Sequence, residues 1–228
     1  FNIPLTPSEI IYLNPAKFAK KKTFGSIEVA GGKKYSASML ADAMLQAAIL
    51  ANEAAGFIRF ELKKTKKFFG GTQATIFVQP QEPPFPWPES TIESAILPIV
   101  NNMFSGKDKS RGIVLIGPDW EEPDIADIYY SWFLGSSQNP AKETVERVEA
   151  GLTARGLLDK AEKNYIIVKK ETYSIPAQTL KLIAEYSHQP VQELLTNCRE
   201  NRPELWESFT RQIDQAISRY SSENSSSF

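Results

Sequence analysis

The stretch SMLADAMLQAAILANEAAGFIRFEL, residues 38–62, decides the fold. Small and apolar residues recur in it at helical spacing, namely Leu40, Met44, Ala48, Ala51 and Ala55. Gly56 follows them, and a glycine just past the last periodic residue is typical of a helix end. The next residues alternate, which places Ile58, Phe60 and Leu62 on one side of a strand. The stretch therefore predicts a helix that feeds directly into a β-strand.

The chain after Leu62 completes a β-hairpin. Four lysines, a Gly-Gly pair and a β-rich segment at residues 75–78 follow in that order. Strand, turn glycines and strand are the pattern of a hairpin, and its lysines lie where the chain turns. The predicted basic hairpin tip consists of Lys63, Lys64, Lys66 and Lys67.

A proline-rich connector separates this first helix–hairpin repeat, residues 36–79, from the middle of the chain. Residues 80–88 hold five prolines and cannot continue a helix or a central strand. Beyond it we expect a helix at 92–104, a short strand or core segment at 113–116, and an aromatic helix at 125–134. An acidic stretch before that last helix is typical of a helix N-terminus.

A second helix–hairpin repeat spans residues 139–173. Asn139-Pro140 offers an N-cap followed by proline at the first helical position, and the helix closes at Gly156. Ala154-Arg155-Gly156-Leu157-Leu158 lies 100 residues after Ala54-Ala55-Gly56-Phe57-Ile58. We expect a strand at 157–158, a turn at 159–164 and a strand at 165–168. A helix that feeds a hairpin is the second half of a winged helix.

The last part of the chain is predicted to be helical over residues 176–220, and residues 221–228 to be a disordered tail. The final helix places Trp206, Phe209, Ile213 and Ile217 on one face. The sequence thus predicts a mainly α protein with short β-hairpins. Two winged-helix-like repeats would pack within one helical domain, residues 1–220.

Composition limits the chemistry that the chain can perform. His188 is the only histidine and Cys198 the only cysteine among 228 residues, so His/Cys zinc sites and internal disulfides are excluded. No phosphate-binding glycine loop occurs. We therefore expect a binding or adaptor protein rather than an enzyme, without cofactor or metal. No apolar run approaches the length of a membrane span, and one cysteine favours a cytoplasmic location.

Charge is distributed unevenly along the chain. Residues 1–80 hold 11 Lys and Arg against 5 Asp and Glu, whereas residues 81–228 hold 15 against 22. The lysines of the first third occur in three clusters, at residues 20–22, 33–34 and 63–67. If these clusters lie on one face they predict attraction to an anionic surface, and if they are scattered they predict solvated loops.

The helix–hairpin repeats leave nucleic acid as an alternative partner. A winged-helix DNA-binding or transcription-associated protein would carry basic and amide side chains on the helix before the wing. The first predicted helix exposes Asp42, Gln46, Asn52 and Glu53 there. The second exposes Lys142, Glu143, Glu146, Arg147 and Glu149. Neither set favours contact with phosphates.

The order of elements resembles the Golgi phosphoprotein 3 family over roughly residues 38–180. The matching features are the run from Ala41 to Leu62 with its hairpin, the tryptophan-bearing helix that ends at Leu134-Gly135, and the second repeat from Asn139-Pro140. The resemblance implies a mostly helical single domain that associates peripherally with membranes by recognising a phosphoinositide. It also implies a role as an adaptor.

The resemblance places the lipid site near the helix before the second hairpin. Two arginines of the family fall at Lys142 and Val145, and no tryptophan precedes Trp87. The predicted residues for binding an anionic lipid are therefore Lys33, Lys34, Lys142 and Arg147, with a protein partner as the other expected ligand.

Overall fold

The structure is a computed structural model that describes residues 5–66, 71–81, 87–105, 122–135, 139–164 and 169–225. It is mainly helical with three antiparallel two-stranded hairpins, which confirms the predicted fold class. The α-helices are α1 (Pro7–Leu13), α2 (Ala37–Ala54), α3 (Ile92–Phe104), α4 (Ile125–Leu134), α5 (Pro140–Ala154), α6 (Ala177–Glu185), α7 (Gln189–Asn201) and α8 (Pro203–Ser225). The strands are β1 (Ser26–Glu28), β2 (Lys34–Ser36), β3 (Ile58–Lys66), β4 (Thr72–Pro80), β5 (Asp159–Asn164) and β6 (Lys169–Ser174).

The described chain divides into two compact units. The first unit holds residues 1–51, 87–94 and 139–194, and the second holds residues 52–86, 95–138 and 195–228. Three of the five boundaries fall inside α2, α3 and α7, where composition could not indicate them. The other two fall in the proline-rich connector and directly before α5.

Both predicted helix–hairpin repeats are present, and they share one backbone motif. Gly56 and Gly156 have φ angles of 76° and 69°, a conformation that glycine adopts without steric cost. The Phe57 N–H donates to the Asn52 carbonyl at 2.8 Å, and the equivalent bond, also 2.8 Å, joins residues 157 and 152. These bonds define a Schellman helix end. The same local signal therefore turns the chain from helix into hairpin twice, 100 residues apart.

Buried polar groups join the segments of the first compact unit. Glu9 in α1 accepts a hydrogen bond from the Arg155 guanidinium at 2.5 Å. Glu93, at the start of α3, accepts bonds from the Ser8 backbone N–H and hydroxyl, both at 2.8 Å. Burial raises the pKa of Glu93 to about 6. Because a buried carboxylate without donors is costly, these donors fix α1 against both partners.

The second compact unit is built around the β3–β4 hairpin and α8. Phe209, fully buried on α8, packs against Phe60 of β3, Tyr129 of α4 and Trp206, with ring centroids 6.2–6.5 Å apart. The predicted side of β3 is the one that faces α8, because Phe60 lies on it. Ile213 is buried as predicted, whereas Ile217 is 38% exposed.

Three sequence predictions are corrected here. The polar segment Asp159–Asn164 is not a turn but strand β5, which pairs with β6. Its residues 159–162 are all exposed, so no apolar alternation indicated a strand. Helix α8 continues to Ser225, five residues into the predicted disordered tail. The prediction of Leu157 and Leu158 as a strand is also wrong, since both precede β5.

Several predictions fall wholly or partly outside the described residues: Lys67, most of the proline-rich connector, the segments 113–116 and 165–168, and residues 226–228. Within the described ranges, no helix combines the length and apolar character that crossing a membrane requires.

Candidate functional site

The lysines of residues 20–22 and 33–34 come together at one edge of the β1–β2 hairpin in the first compact unit. Lys21 forms an antiparallel bridge with Tyr35 of β2, and the Ser36 N–H donates to the Lys20 carbonyl at 3.0 Å. Lys20 and Lys21 therefore lie alongside β2, whose first residue is Lys34. We name this set, Lys20, Lys21, Lys22, Lys33 and Lys34, the lysine edge.

Glycines shape the turns that bring the lysine edge together. Gly31 and Gly32 have φ angles of 86° and 76°, and the Val29 N–H donates to the Lys33 carbonyl at 3.0 Å across this turn. Gly25, with φ of 61°, lies in the connection that returns the chain from Lys22 to β1. Because side chains disfavour these angles, the glycines determine where the two lysine clusters meet.

The charges of the lysine edge are exposed and lack an ion-pair partner among the described residues. All five ammonium-bearing residues are exposed, and none of them forms an ion pair with another described residue. Glu28 is the cross-strand neighbour of Lys34 in β1. Five exposed cations on adjacent strands create a local positive potential that an isolated surface lysine does not.

Phe24 lies in the connection between Lys22 and β1, and it is 86% exposed. It is the most exposed large apolar residue in the described part of the chain. An aromatic side chain flanked by lysines combines apolar area with positive charge, which is the composition of segments that enter the interface of an anionic membrane.

A buried hydrogen-bond network holds the turn beside the lysine edge in place. The Tyr12 hydroxyl of α1 accepts from the Ala30 N–H at 3.0 Å and donates to Glu149 Oε1 of α5 at 2.7 Å. The Gly31 N–H donates to the Tyr173 carbonyl of β6 at 3.2 Å. The turn is therefore fixed to three elements, so the position of the lysines does not depend on the two short strands alone.

Burial governs the protonation of this network. Burial raises the pKa of Glu149 to about 7, against the opposing Tyr12 hydrogen bond and with smaller contributions from the carboxylates of Glu146 and Glu171. Burial and the Glu149 carboxylate also raise the pKa of Tyr12. The Tyr12 hydroxyl thus keeps its proton and remains a donor. The sequence predicted exposed positions for Glu149 and Asn52, which is wrong, since both are buried. The partner of Glu149, Tyr12, lies 137 residues away in the chain, so helical periodicity could not indicate the pair.

The predicted lipid-binding residues of α5 have a different environment from Lys33 and Lys34. Lys142 forms an ion pair with Glu146 one turn later, at 3.1 Å. Arg147 is exposed on the same helix. Since Lys142 already has a carboxylate partner, its charge is partly compensated, and the lysine edge is the stronger candidate.

The predicted basic hairpin tip, in the second compact unit, is divided between the two faces of β3. Lys63 lies 2.7 Å from Glu122 and 3.2 Å from Glu61, so its charge is compensated. Lys64 and Lys66 are exposed without an ion pair to any described residue, and Lys67 lies outside the described residues.

Cys198 is the only cysteine of the chain and lies in α7. Cys198 is buried, and burial raises the pKa of its thiol, which disfavours the nucleophilic thiolate. Among the described residues, no group of three or more His, Cys, Asp or Glu side chains could hold a metal ion.

Comparison with known proteins found no relative of this chain. No family model matches the chain, and neither the curated proteins nor the solved structures contain a match.

Proposed function

We propose that this protein is a non-enzymatic binding or adaptor protein that attaches peripherally to anionic membranes through the lysine edge and Phe24. The observation that supports it is the bridge from Lys21 to Tyr35, which joins the two lysine clusters. A lysine near an anionic leaflet contributes about 1 kcal/mol, so several are needed for stable attachment. The lysine edge places five exposed lysines on neighbouring segments of the chain, which supports attachment of this kind.

Phe24 supports a membrane rather than another polyanion as the partner. Its ring is exposed to water in the free protein, and moving apolar area into the membrane interface is favourable by roughly 25 cal/mol per Å². On a nucleic-acid duplex this ring would be buried only by insertion between base pairs, which costs unstacking energy. A phosphoinositide headgroup, as the family resemblance implies, would add charge at the same place.

The alternative of DNA recognition by the first winged-helix-like repeat has less support. A recognition helix must expose one face to a groove. In α2, however, Leu40, Ala47 and Leu50 are buried together with Met44 and Ile49, so apolar burial extends around most of the helix.

Vesicle flotation tests the proposal. We expect the protein to float with phosphatidylserine vesicles and with phosphoinositide vesicles at low salt, and not with phosphatidylcholine vesicles. Stronger flotation with phosphoinositide than with phosphatidylserine at equal charge would identify a specific headgroup. Added salt should weaken all binding, because surface charges are screened.

Two matched double variants locate the surface. Lys22→Glu with Lys34→Glu reverses two charges on the lysine edge and should abolish flotation. Lys64→Glu with Lys66→Glu makes the same charge change at the other predicted basic site and should leave flotation intact. Phe24→Ser should weaken binding several-fold without changing its salt dependence. Equal flotation with neutral vesicles, or equal loss in both double variants, would refute the proposal.

A further inference from the structure

The two edges of the β3–β4 hairpin differ in how their backbone groups are satisfied. In an antiparallel pair, residues alternate between those bonded to the partner strand and those that point outward. Ile76 of β4 points outward, because its N–H donates to Gln212 Oε1 at 3.0 Å and its carbonyl accepts from Gln212 Nε2 at 3.5 Å. The side-chain amide of Gln212 thus takes the place of a neighbouring strand.

Ala74 and Val78, the outward residues on either side of Ile76, also have bonded groups. The Ala74 carbonyl accepts from the Ser208 hydroxyl at 3.0 Å and from the Arg211 guanidinium. The Val78 N–H donates to the Pro123 carbonyl at 2.7 Å. The edge of β4 is therefore closed residue by residue, which is how proteins prevent unwanted strand pairing.

The edge of β3, in contrast, has no hydrogen-bond partner among the residues that the structure describes. Phe60, Leu62 and Lys64 are the register partners of Val78, Ile76 and Ala74, so their backbone groups point away from β4. Lys66 continues the same row. None of these backbone groups bonds to another described residue. The row extends over about 20 Å at 3.3 Å per residue, enough to pair with a seven-residue extended peptide.

The charges on β3 determine which kind of strand can pair with its outer edge. Glu61 and Glu122 compensate Lys63, whereas Lys64 and Lys66 have no ion pair to a described residue. A second copy of the chain that paired antiparallel through the same residues would set Lys66 opposite Phe60 and Lys64 opposite Leu62, so neither lysine would gain a carboxylate. An acidic strand would instead place carboxylates opposite Lys64 and Lys66, and apolar residues opposite Phe60 and Leu62.

We propose that the outer edge of β3 binds an extended acidic peptide segment of a partner protein by strand addition. Backbone hydrogen bonds to Phe60, Leu62, Lys64 and Lys66 provide the affinity, and the two lysine side chains select acidic residues. This site is independent of the lysine edge and of membrane binding.

A designed peptide tests the proposal by fluorescence anisotropy. The probe is the fluorescein-labelled, amidated heptapeptide Glu-Thr-Glu-Thr-Val-Thr-Val, which in antiparallel register sets its glutamates opposite Lys66 and Lys64. We expect it to bind, and Lys-Thr-Lys-Thr-Val-Thr-Val to bind at least tenfold more weakly. The N–H groups of the glutamates and valines would face β3, so N-methylation there should abolish binding. N-methylation at the threonines should not.

Protein variants provide the second test. Leu62→Pro removes an N–H that points outward, so the hairpin should persist while peptide affinity falls at least tenfold. Leu62→Val retains the N–H and is the matched control, with thermal unfolding followed by circular dichroism as the check on folding. Lys64→Glu with Lys66→Glu should exchange the preference toward the lysine peptide.

Three results would overturn this inference: no binding of the acidic heptapeptide at 50 mM salt, binding that ignores the position of N-methylation, or equal affinity of Leu62→Pro and Leu62→Val. Either of the last two would show a purely electrostatic attraction, as a generic polyanion site would give.

Discussion

Helices α2 and α5 bury equivalent positions but fill them with different chemistry. With an offset of 100 residues, six buried positions of α2 coincide with six of α5: 44, 45, 48, 49, 51 and 52, and 144, 145, 148, 149, 151 and 152. Ile49 in α2 corresponds to Glu149 in α5, whose carboxylate is satisfied by Tyr12. The helix path is thus determined locally, whereas the neighbours of each helix decide what its buried face contains.

The hairpins that follow these helices show the same contrast. The β3–β4 hairpin packs apolar side chains against α8, and its β4 edge is closed. In the β5–β6 hairpin, residues 159–162 are all exposed, and an exposed ion pair joins Lys160 to Glu171 at 2.6 Å. The same type of helix end therefore leads into a hairpin that packs against α8 in the first repeat. In the second repeat it leads into a hairpin whose residues 159–162 are exposed.

The largest effect is expected from removing Phe209, whose ring packs against the β3–β4 hairpin. Phe209→Ala should lower the free energy of unfolding by about 3–5 kcal/mol, because a fully buried ring is lost and a cavity remains. Chemical denaturation measures this loss. Ile217→Ala, on the exposed side of α8, is the control and should cost far less. Hydrogen exchange should accelerate in β3 and β4; an equal acceleration in β5 and β6 would break the comparison.

The next prediction concerns Glu149, the buried carboxylate of α5. The folded pKa of Glu149, about 7, lies above the ordinary value of 4.5, so the folded state binds the proton more tightly. Stability should therefore fall as pH rises from about 4.5 to 7, by on the order of 2 kcal/mol. Glu149→Gln keeps an acceptor for Tyr12 and should flatten this dependence. Denaturation curves at several pH values would contradict us if both proteins changed equally.

The two helix-ending glycines should respond alike. A Cβ at Gly56 or Gly156 meets no atom within 4 Å, so alanine there introduces only the strain of a positive φ. We expect each of Gly56→Ala and Gly156→Ala to cost about 1 kcal/mol. Thermal unfolding measures both, and asparagine at each site should cost less. A clear inequality between the two alanine variants would show that the helix ends are not equivalent.

The smallest effect concerns the ion pair of the second hairpin. Lys160→Ala should produce no resolvable change in the unfolding midpoint, because solvent screens the exposed pair with Glu171. The same measurement on Glu171→Ala should agree. A marked loss of stability in either variant would mean that β5–β6 depends on side-chain contacts as β3–β4 does.

Local signals explain what could be predicted from the sequence. Gly56 and Gly156 mark helix ends because only backbone angles are involved, and helices α3 and α4 have the predicted bounds. Strand β5 was missed because an exposed two-stranded hairpin needs no apolar alternation. The continuation of α8 through the serines near its end was missed because the polar composition suggested disorder.

Only some residues of the candidate site could be predicted from the sequence. The charges of Lys33 and Lys34 indicate them as candidates. The bridge from Lys21 to Tyr35 could not be predicted, because residues 20–22 are too few to show an alternation of apolar and polar side chains. The compensation of Lys63 by Glu122 joins residues 59 positions apart. Such pairings depend on tertiary structure, which periodicity does not encode.

The closure of the β4 edge by Gln212 has a consequence for synthesis. Ile76 and Gln212 are 136 residues apart, and a ribosome adds roughly 5–20 residues per second. The nascent hairpin therefore exists for on the order of ten seconds before the side chain that closes its edge has been made. During that interval both edges of the hairpin can pair with other chains, so α8 acts as a delayed intramolecular protection against aggregation.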